Sequence, residues 1–167
     1  HDLGHLYETL GRRADALAEF EALVTYAGDA TYWADIGMQL AALDRVDEAI
    51  AAHDRAIELD PRNKRAWSGK ACALQQIECF AEALAAWDSG QLVGLDDCHT
   101  WNNRAFTLMR LGYHADAVAA IDRSLAIDPD DRWALDNRAV AARNAASTKS
   151  RLGAARDWAR GLFGKST

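Results

Sequence analysis

Apolar and small residues recur along the chain with the period of a helix, in blocks separated by short polar breaks. Trp33, Ile36, Gly37 and Leu40 fall at i, i+3, i+4 and i+7, one face of a helix. Asp44 and Arg45 interrupt that run. A second amphipathic stretch from Val46 to Leu59 follows, with Ala49, Ile50, His53, Ala56 and Ile57 on one stripe. Asp60-Pro61 ends it, because proline has no N–H and restricts the residue before it. The plan repeats with Trp67, Ala71 and Leu74, a break near Glu78, then Phe80, Ala83, Leu84 and Trp87. It repeats again with Trp101, Ala105 and Leu108, a helix stop at Gly112, then Ala117, Val118, Ile121 and Leu125 up to Asp128-Pro129.

Three registers share one constant interval of thirty-four positions: Trp33, Trp67 and Trp101; Ala49, Ala83 and Ala117; Pro61, Leu95 and Pro129. Self-similarity at such a period marks a stacked-repeat architecture, in which each unit buries its apolar face against its neighbours. Gly37, Ala71 and Ala105 let the two helices of a hairpin approach, and Trp33 and Trp67 fill the wedge between hairpins. The predicted organisation is a partial repeat over 1–29, repeats over 30–63, 64–97 and 98–131, and an incomplete repeat over 132–145, all in one domain. Asn137, Arg138 and Ala139 repeat Asn103, Arg104 and Ala105, but Trp133 stands two places early and no second helix follows on schedule. A separate helix is expected over 148–164, with Leu152, Ala155, Ala159, Leu162 and Phe163 on one side and Arg156 and Arg160 toward the other. A polar-backed cap on the last repeat is the economical reading. A helix lying on a membrane surface, suggested by basic residues beside Trp158 and Phe163, is the sharper alternative.

The unit resembles the tetratricopeptide repeat, whose signature reads W-x2-L-G-x2-Y, then A-x3-F, then P. Here it runs Trp33-x2-Ile36-Gly37-x2-Leu40, Ala49-x3-His53, Pro61, with an earlier partial copy at Leu3-Gly4-x2-Tyr7, Gly11 and Ala16-x3-Phe20. The resemblance covers residues 1 to about 145. Lys70 and Arg104 depart from it at the Leu slot, and Leu95 replaces the closing proline, so a looser turn is expected after Val93-Gly94. It implies an all-α, right-handed superhelical solenoid of helix-turn-helix repeats with a C-terminal capping helix. The first helix of each hairpin would line a concave groove that holds a peptide or partner segment.

Helical phase assigns to that groove Asp35, Met38 and Ala42; Arg65, Gly69, Cys72 and Gln76; His99, Asn103, Phe106 and Arg110; Asn137 and Val140. Asn103 and Asn137, one unit apart, would form a short amide ladder, since an amide both donates and accepts along an extended backbone. The cationic clamp that some family members use for a C-terminal carboxylate is not matched, because Asp35 and Gly69 occupy its sites and only Arg65 fits.

Charge and composition narrow the function classes. Half the residues are hydrophobic, well above a disordered chain, yet no apolar run approaches the roughly 20 residues needed to span a bilayer. The net charge is −6, but from Arg132 onward eight basic residues stand against Asp136 and Asp157, so that end carries +6 and the rest −12. An acidic body lacks the basic stripe that nucleic-acid binding requires. Cys72, Cys79 and Cys98 form no CxxC pair, which suits free thiols in a reducing, cytoplasmic setting. There is no Gly-rich phosphate loop, no GxSxG and no HExxH.

His1, His5 and Glu8 could share a helix face as metal ligands, but His1 opens the chain in mid-pattern, and no metal is expected there. His53 takes the aromatic slot of its helix and is expected to be a packed imidazole. Cys98-His99 lacks a second ligand pair, and Cys72 is expected as a small filler. No cofactor is expected. The function expected is a non-catalytic protein–protein interaction scaffold. The alternative is the recognition arm of a larger enzyme, such as a glycosyltransferase or sensor kinase, and self-association through the half-unit at residues 1–10 is a third reading.

Overall fold

Short polar residues start every first helix of the array. The helices are α1 (Ala30–Ala42), α2 (Val46–Leu59), α3 (Lys64–Gln76), α4 (Phe80–Leu92), α5 (Cys98–Arg110), α6 (His114–Ile127) and α7 (Arg132–Phe163). A helix leaves its first N–H groups without intrahelical partners, and a side-chain oxygen at the N-cap satisfies one of them. Asp29 accepts from the N–H of Thr31 at 2.8 Å, Asn63 from Ala66 at 3.0 Å, Asp97 from Thr100 at 2.8 Å and Asp131 from Ala134 at 3.0 Å. Each of these four caps stands one repeat period from the next. The computed structural model describes the backbone of residues 29–163 and the side chains of residues 29–149. The partial first repeat, with His1, His5 and Glu8, lies outside the described residues, as do the side chains from Leu152 to Phe163. Among the described residues there are seven helices and no strand, an all-α helical repeat fold.

The first helices also end alike. Asp44, Glu78 and Gly112, spaced by the same period, take positive φ of 63°, 59° and 80°. Each left-handed residue lets the chain fold back onto the helix end. The N–H groups of Asp44 and Arg45 reach the carbonyls of Ala41 and Leu40 at 3.1 and 3.0 Å. Glu78 and Cys79 repeat those bonds, as do Gly112 and Tyr113. This is the Schellman arrangement, which satisfies two otherwise orphaned carbonyls.

The second helices α2 and α6 stop differently, on extended Asp60 and Asp128 before Pro61 and Pro129. Helix α4 has no proline to stop it, and the looser end expected there does not occur. Instead Gly94 adopts φ 92°, and the N–H groups of Gly94 and Leu95 bond to Gln91 and Gly90 at 3.0 and 2.9 Å. Leu95 is buried against Gly90. The turn is tight, because glycine supplies the left-handed residue and Leu95 the apolar latch.

The chain divides into two compact units, one running to Asp96 and the other beginning at Asp97. In the first, Ile36 and Leu40 of α1 pack with Val46, Ala49 and Ala52 of α2 and with Ala73 of α3. Ala71, Leu74, Ala83, Ala86 and the wholly buried Trp87 form a second cluster, flanked by Trp67. Alanine at so many contact positions brings the helix axes close. Lys70 of α3 pairs with Asp54 of α2 at 2.5 Å.

In the second unit, α5, α6 and α7 bury Ala105, Leu108, Ala117, Ile121, Ala134 and Ala141. Arg138 of α7 pairs with Asp122 of α6 at 2.5 Å, so the same relation joins a second helix to the following first helix in both units. Trp101 is half-buried, with the guanidinium groups of Arg104 and Arg123 5.9 and 5.5 Å from its ring centre.

Helix α7 corrects the expected division at the C-terminal end. A break between an incomplete repeat at 132–145 and a separate helix at 148–164 does not occur; one helix of 32 residues runs from Arg132 to Phe163. The local reason is plain. Ala145, Ala146 and Ser147 offer no stop, and the Thr148 hydroxyl donates back to the Asn144 carbonyl at 3.0 Å without leaving the helix.

Candidate functional site

In the first unit Met38, Arg65, Gly69 and Cys72, four of the seven expected groove residues, meet around one buried imidazole. His53 projects from α2 and is 0% exposed. Its ring fills a slot between Gly37 of α1 and Gly69 of α3. A Cβ added at Gly37 would come within 2.6 Å of the ring, and one at Gly69 would clash with it as well. Two glycines are therefore what makes room for the side chain. Neither ring nitrogen has a hydrogen-bond partner among the described residues. Burial pushes the His53 pKa down to about 4. The charge of Asp54 opposes that shift, and those of Arg65 and Lys70 reinforce it. The imidazole is neutral at ordinary pH.

Beside this ring lies a pocket of about 250 Å³ lined by Met38, Ala41, His53, Arg65, Ser68, Gly69 and Cys72. Met38 and Cys72 are one repeat period apart and so hold the same slot on α1 and α3. The Cys72 residue is exposed, yet protein surrounds its sulfur closely enough that burial raises the thiol pKa. Arg65 crosses the mouth. Its Nη1 lies 2.7 Å from Asp35 Oδ1, and its Nε donates to Met38 Sδ at 3.0 Å.

Asp35, expected to face the groove, is only 1% exposed. Helical phase puts it on the correct side, but Arg65 from the next first helix covers it, and it acts as the buried counter-charge of that arginine. Gln76 is exposed and spends its amide on Asp44 Oδ1 at 3.1 Å. Ala42 is exposed at the end of α1.

In the second unit His99, Phe106 and Arg110 are exposed on α5, and Asn103 is half-buried on the same face. The Arg110 guanidinium lies 5.8 Å from the Phe106 ring centre, within the range of a cation–π contact. On α7, Val140 is exposed and Asn137 is half-buried. The Asn137 amide donates to Trp133 O of its own helix at 2.9 Å.

Cys98, Asp128 and Asp131 bring three possible ligand atoms within 4.8 Å of one another. Asp131 is already engaged as the cap of α7, by Asn102 Nδ2 at 2.5 Å and by the Ser124 hydroxyl at 3.4 Å. Desolvation would raise its pKa, but the bonds from Ala134, Asn102, Ser124 and Trp133 outweigh that and hold it low. The cluster is explained as a helix start.

Helical phase along the first helices does not pick out His53, Ala41 or Ser68 as lining residues. The signal for His53 lies in the pair Gly37 and Gly69, small residues on both sides of an aromatic slot that holds a polar ring. Among the described residues, no helix is long and apolar enough to cross a membrane.

Helical hairpins repeated at a fixed period, each with a capped first helix, define the class: an α-helical repeat protein. The tetratricopeptide-repeat sequence patterns match residues 1–29, 30–63 and 98–131, more than half of the chain, and the chain belongs to that family. Solved structures share its fold at low identity. YrrB, a TPR protein with an unusual peptide-binding site, is 21% identical over 81% of this chain and 70% of its own, with a TM-score of 0.72. The first TPR of Spaghetti (RPAP3), bound to the HSP90 peptide SRMEEVD, is 18% identical over 72% of this chain and 95% of its own, with a TM-score of 0.68. MamA from Desulfovibrio magneticus RS-1 is 16% identical over 89% of this chain and 90% of its own, with a TM-score of 0.73. No curated protein matches the chain by sequence.

Proposed function

We propose that the chain is a non-catalytic interaction scaffold that binds a peptide or protein segment along the exposed faces of its first helices. The observation that carries this reading is a single register. Met38, Cys72, Phe106 and Val140 occupy the same slot of α1, α3, α5 and α7, each one repeat period from the last, and all four are exposed. Their apolar or sulfur-bearing side chains would each be better buried. Met38, Phe106 and Val140 are 36%, 37% and 41% exposed, an arrangement that favours contact with an apolar partner surface.

In the first unit Arg65 and Gln76 supply polar groups on the same helices as Met38 and Cys72, with Asp35 pairing with Arg65; in the second His99, Asn103, Arg110 and Asn137 do so on the helices of Phe106 and Val140. YrrB, with its unusual peptide-binding site, and the first TPR of Spaghetti, bound to an HSP90 peptide, support the same use of the fold here. The partner class proposed is a peptide, with no nucleic acid, in the cytoplasm.

Phage-displayed random peptides provide the test. Peptides enriched on the wild-type chain should lose binding to Phe106→Asp and to Met38→Asp, while circular dichroism stays unchanged. Equal capture by both variants would place the binding surface elsewhere and reject this reading.

A further inference from the structure

The pocket beside His53 holds an unusual set of donors. Met38 contributes a thioether, Cys72 a thiol and His53 a neutral imidazole, and all three line one pocket of about 250 Å³. Met38 and Cys72 share one slot on α1 and α3, which pack side by side, and His53 rises between those helices from α2. His53 is wholly buried and both of its nitrogens lack partners. Buried polar groups in folded proteins are satisfied in the great majority of cases, so an orphaned ring that lines a pocket points to something the pocket binds. An apolar aromatic would fill the slot without that cost, as the repeat signature does with Phe.

We propose that Met38, His53 and Cys72 form a three-coordinate site for a soft monovalent metal ion of the Cu(I) class. Thioether and thiolate sulfur select soft ions, and neutral imidazole joins them readily. The surroundings agree with a low-charge ion. Arg65, whose charge is felt at His53, is paired with Asp35 at 2.7 Å, which offsets part of that charge at the mouth. Arg65 Nε uses one lone pair of Met38 Sδ at 3.0 Å, and a thioether sulfur has a second. On binding, the Cys72 S–H proton leaves to solvent and an S–Cu bond forms. Copper enters and stays as Cu(I), with no electron transferred, and its charge cancels that of the thiolate. The sequence carries no metal signature because the three donors come from three helices, and two of them are related only by the repeat period.

The test is anaerobic titration of the full chain with Cu(I) delivered from its bicinchoninate complex, read as loss of the complex's colour. The wild type should take one Cu(I) per chain, and X-ray absorption of the loaded protein should show both sulfur and nitrogen neighbours. Cys72→Ser and Met38→Leu should each weaken binding on the order of tenfold or more, the scale by which even outer-shell changes act on metal sites. Cys79→Ser and Cys98→Ser should bind as the wild type does. His53→Phe should remove the nitrogen signal. If that variant does not fold, the two sulfur variants and the wild-type spectrum still decide. No transfer to the wild type, undiminished binding in the Cys72→Ser, Met38→Leu double variant, or a sulfur-only spectrum overturns the proposal.

Discussion

Lowering the pH from 7 to 5 should cost this protein stability through one residue. In the folded chain burial holds His53 at a pKa of about 4, against an ordinary 6.5. Unfolding returns the ring to water. Between those two values the unfolded state binds a proton and the native state does not, so stability falls as pH falls. The contribution is intact above pH 6.5, declines below it, and levels off once pH drops under about 4. One pKa unit corresponds to about 1.4 kcal/mol, so the full shift carries about 3 kcal/mol at the acid limit, and about 2 kcal/mol separates pH 7 from pH 5. Urea unfolding in the presence of a chelator, followed by tryptophan fluorescence at both pH values, measures this directly. His53→Phe provides the subtraction, since the carboxylates and remaining histidines titrate in both proteins; His53→Leu serves if phenylalanine is too large for the slot. The wild type should lose about 2 kcal/mol more than the variant. Equal losses would mean that the ring is charged or solvated in the folded state, and the account of the slot would fail.

Three further outcomes follow from local geometry. Gly37→Ala places a methyl within 2.6 Å of His53 and should destabilise by about 1–3 kcal/mol in chemical denaturation, whereas in a His53→Ala background it should become neutral or stabilising; a penalty unchanged by that background would refute the slot. Glu78→Gly should raise stability by about 1 kcal/mol in the same assay, because φ is 59° there and glycine carries no Cβ penalty, so a loss would contradict the strain. Asp131→Ala removes the cap of α7 and should cost about 1–2 kcal/mol, with faster amide exchange in the first turn of α7; unchanged exchange would show that the cap does not hold that turn.

The repeat architecture is legible in the sequence because its period is carried by large residues. Three tryptophans and two Asp-Pro pairs mark the units without any knowledge of contacts. The caps at Asp29, Asn63, Asp97 and Asp131 keep the same period, yet they are small polar residues among many others and do not stand out. At the end of α4 the missing proline suggests a loose turn, while the tight one is made by the less conspicuous Gly94-Leu95 latch. A repeat schedule carried past Pro129 implies a break near residue 146 that nothing in Ala145-Ala146-Ser147 enforces.

The site is half visible in the sequence. Phase along one helix correctly exposes Met38, Cys72, Phe106 and Val140. It cannot tell that Asp35 lies beneath an arginine arriving from a neighbouring helix. Nor does it report that a histidine in an aromatic slot has no hydrogen-bond partner, which depends on what the other helices bring to it.

The start and stop signals of the first helices have a consequence for how the chain folds. Each cap bond spans two or three residues and each turn bond three to five, so the bonds that delimit a hairpin close loops of minimal entropy. No hairpin waits on a distant strand or a terminal partner to begin. Folding can nucleate at any unit and spread outward, and contacts this local favour fast rates. A helix delimited in this way still depends on the neighbouring hairpin to bury its apolar face, as Ala73 does against Ile36 and Val46.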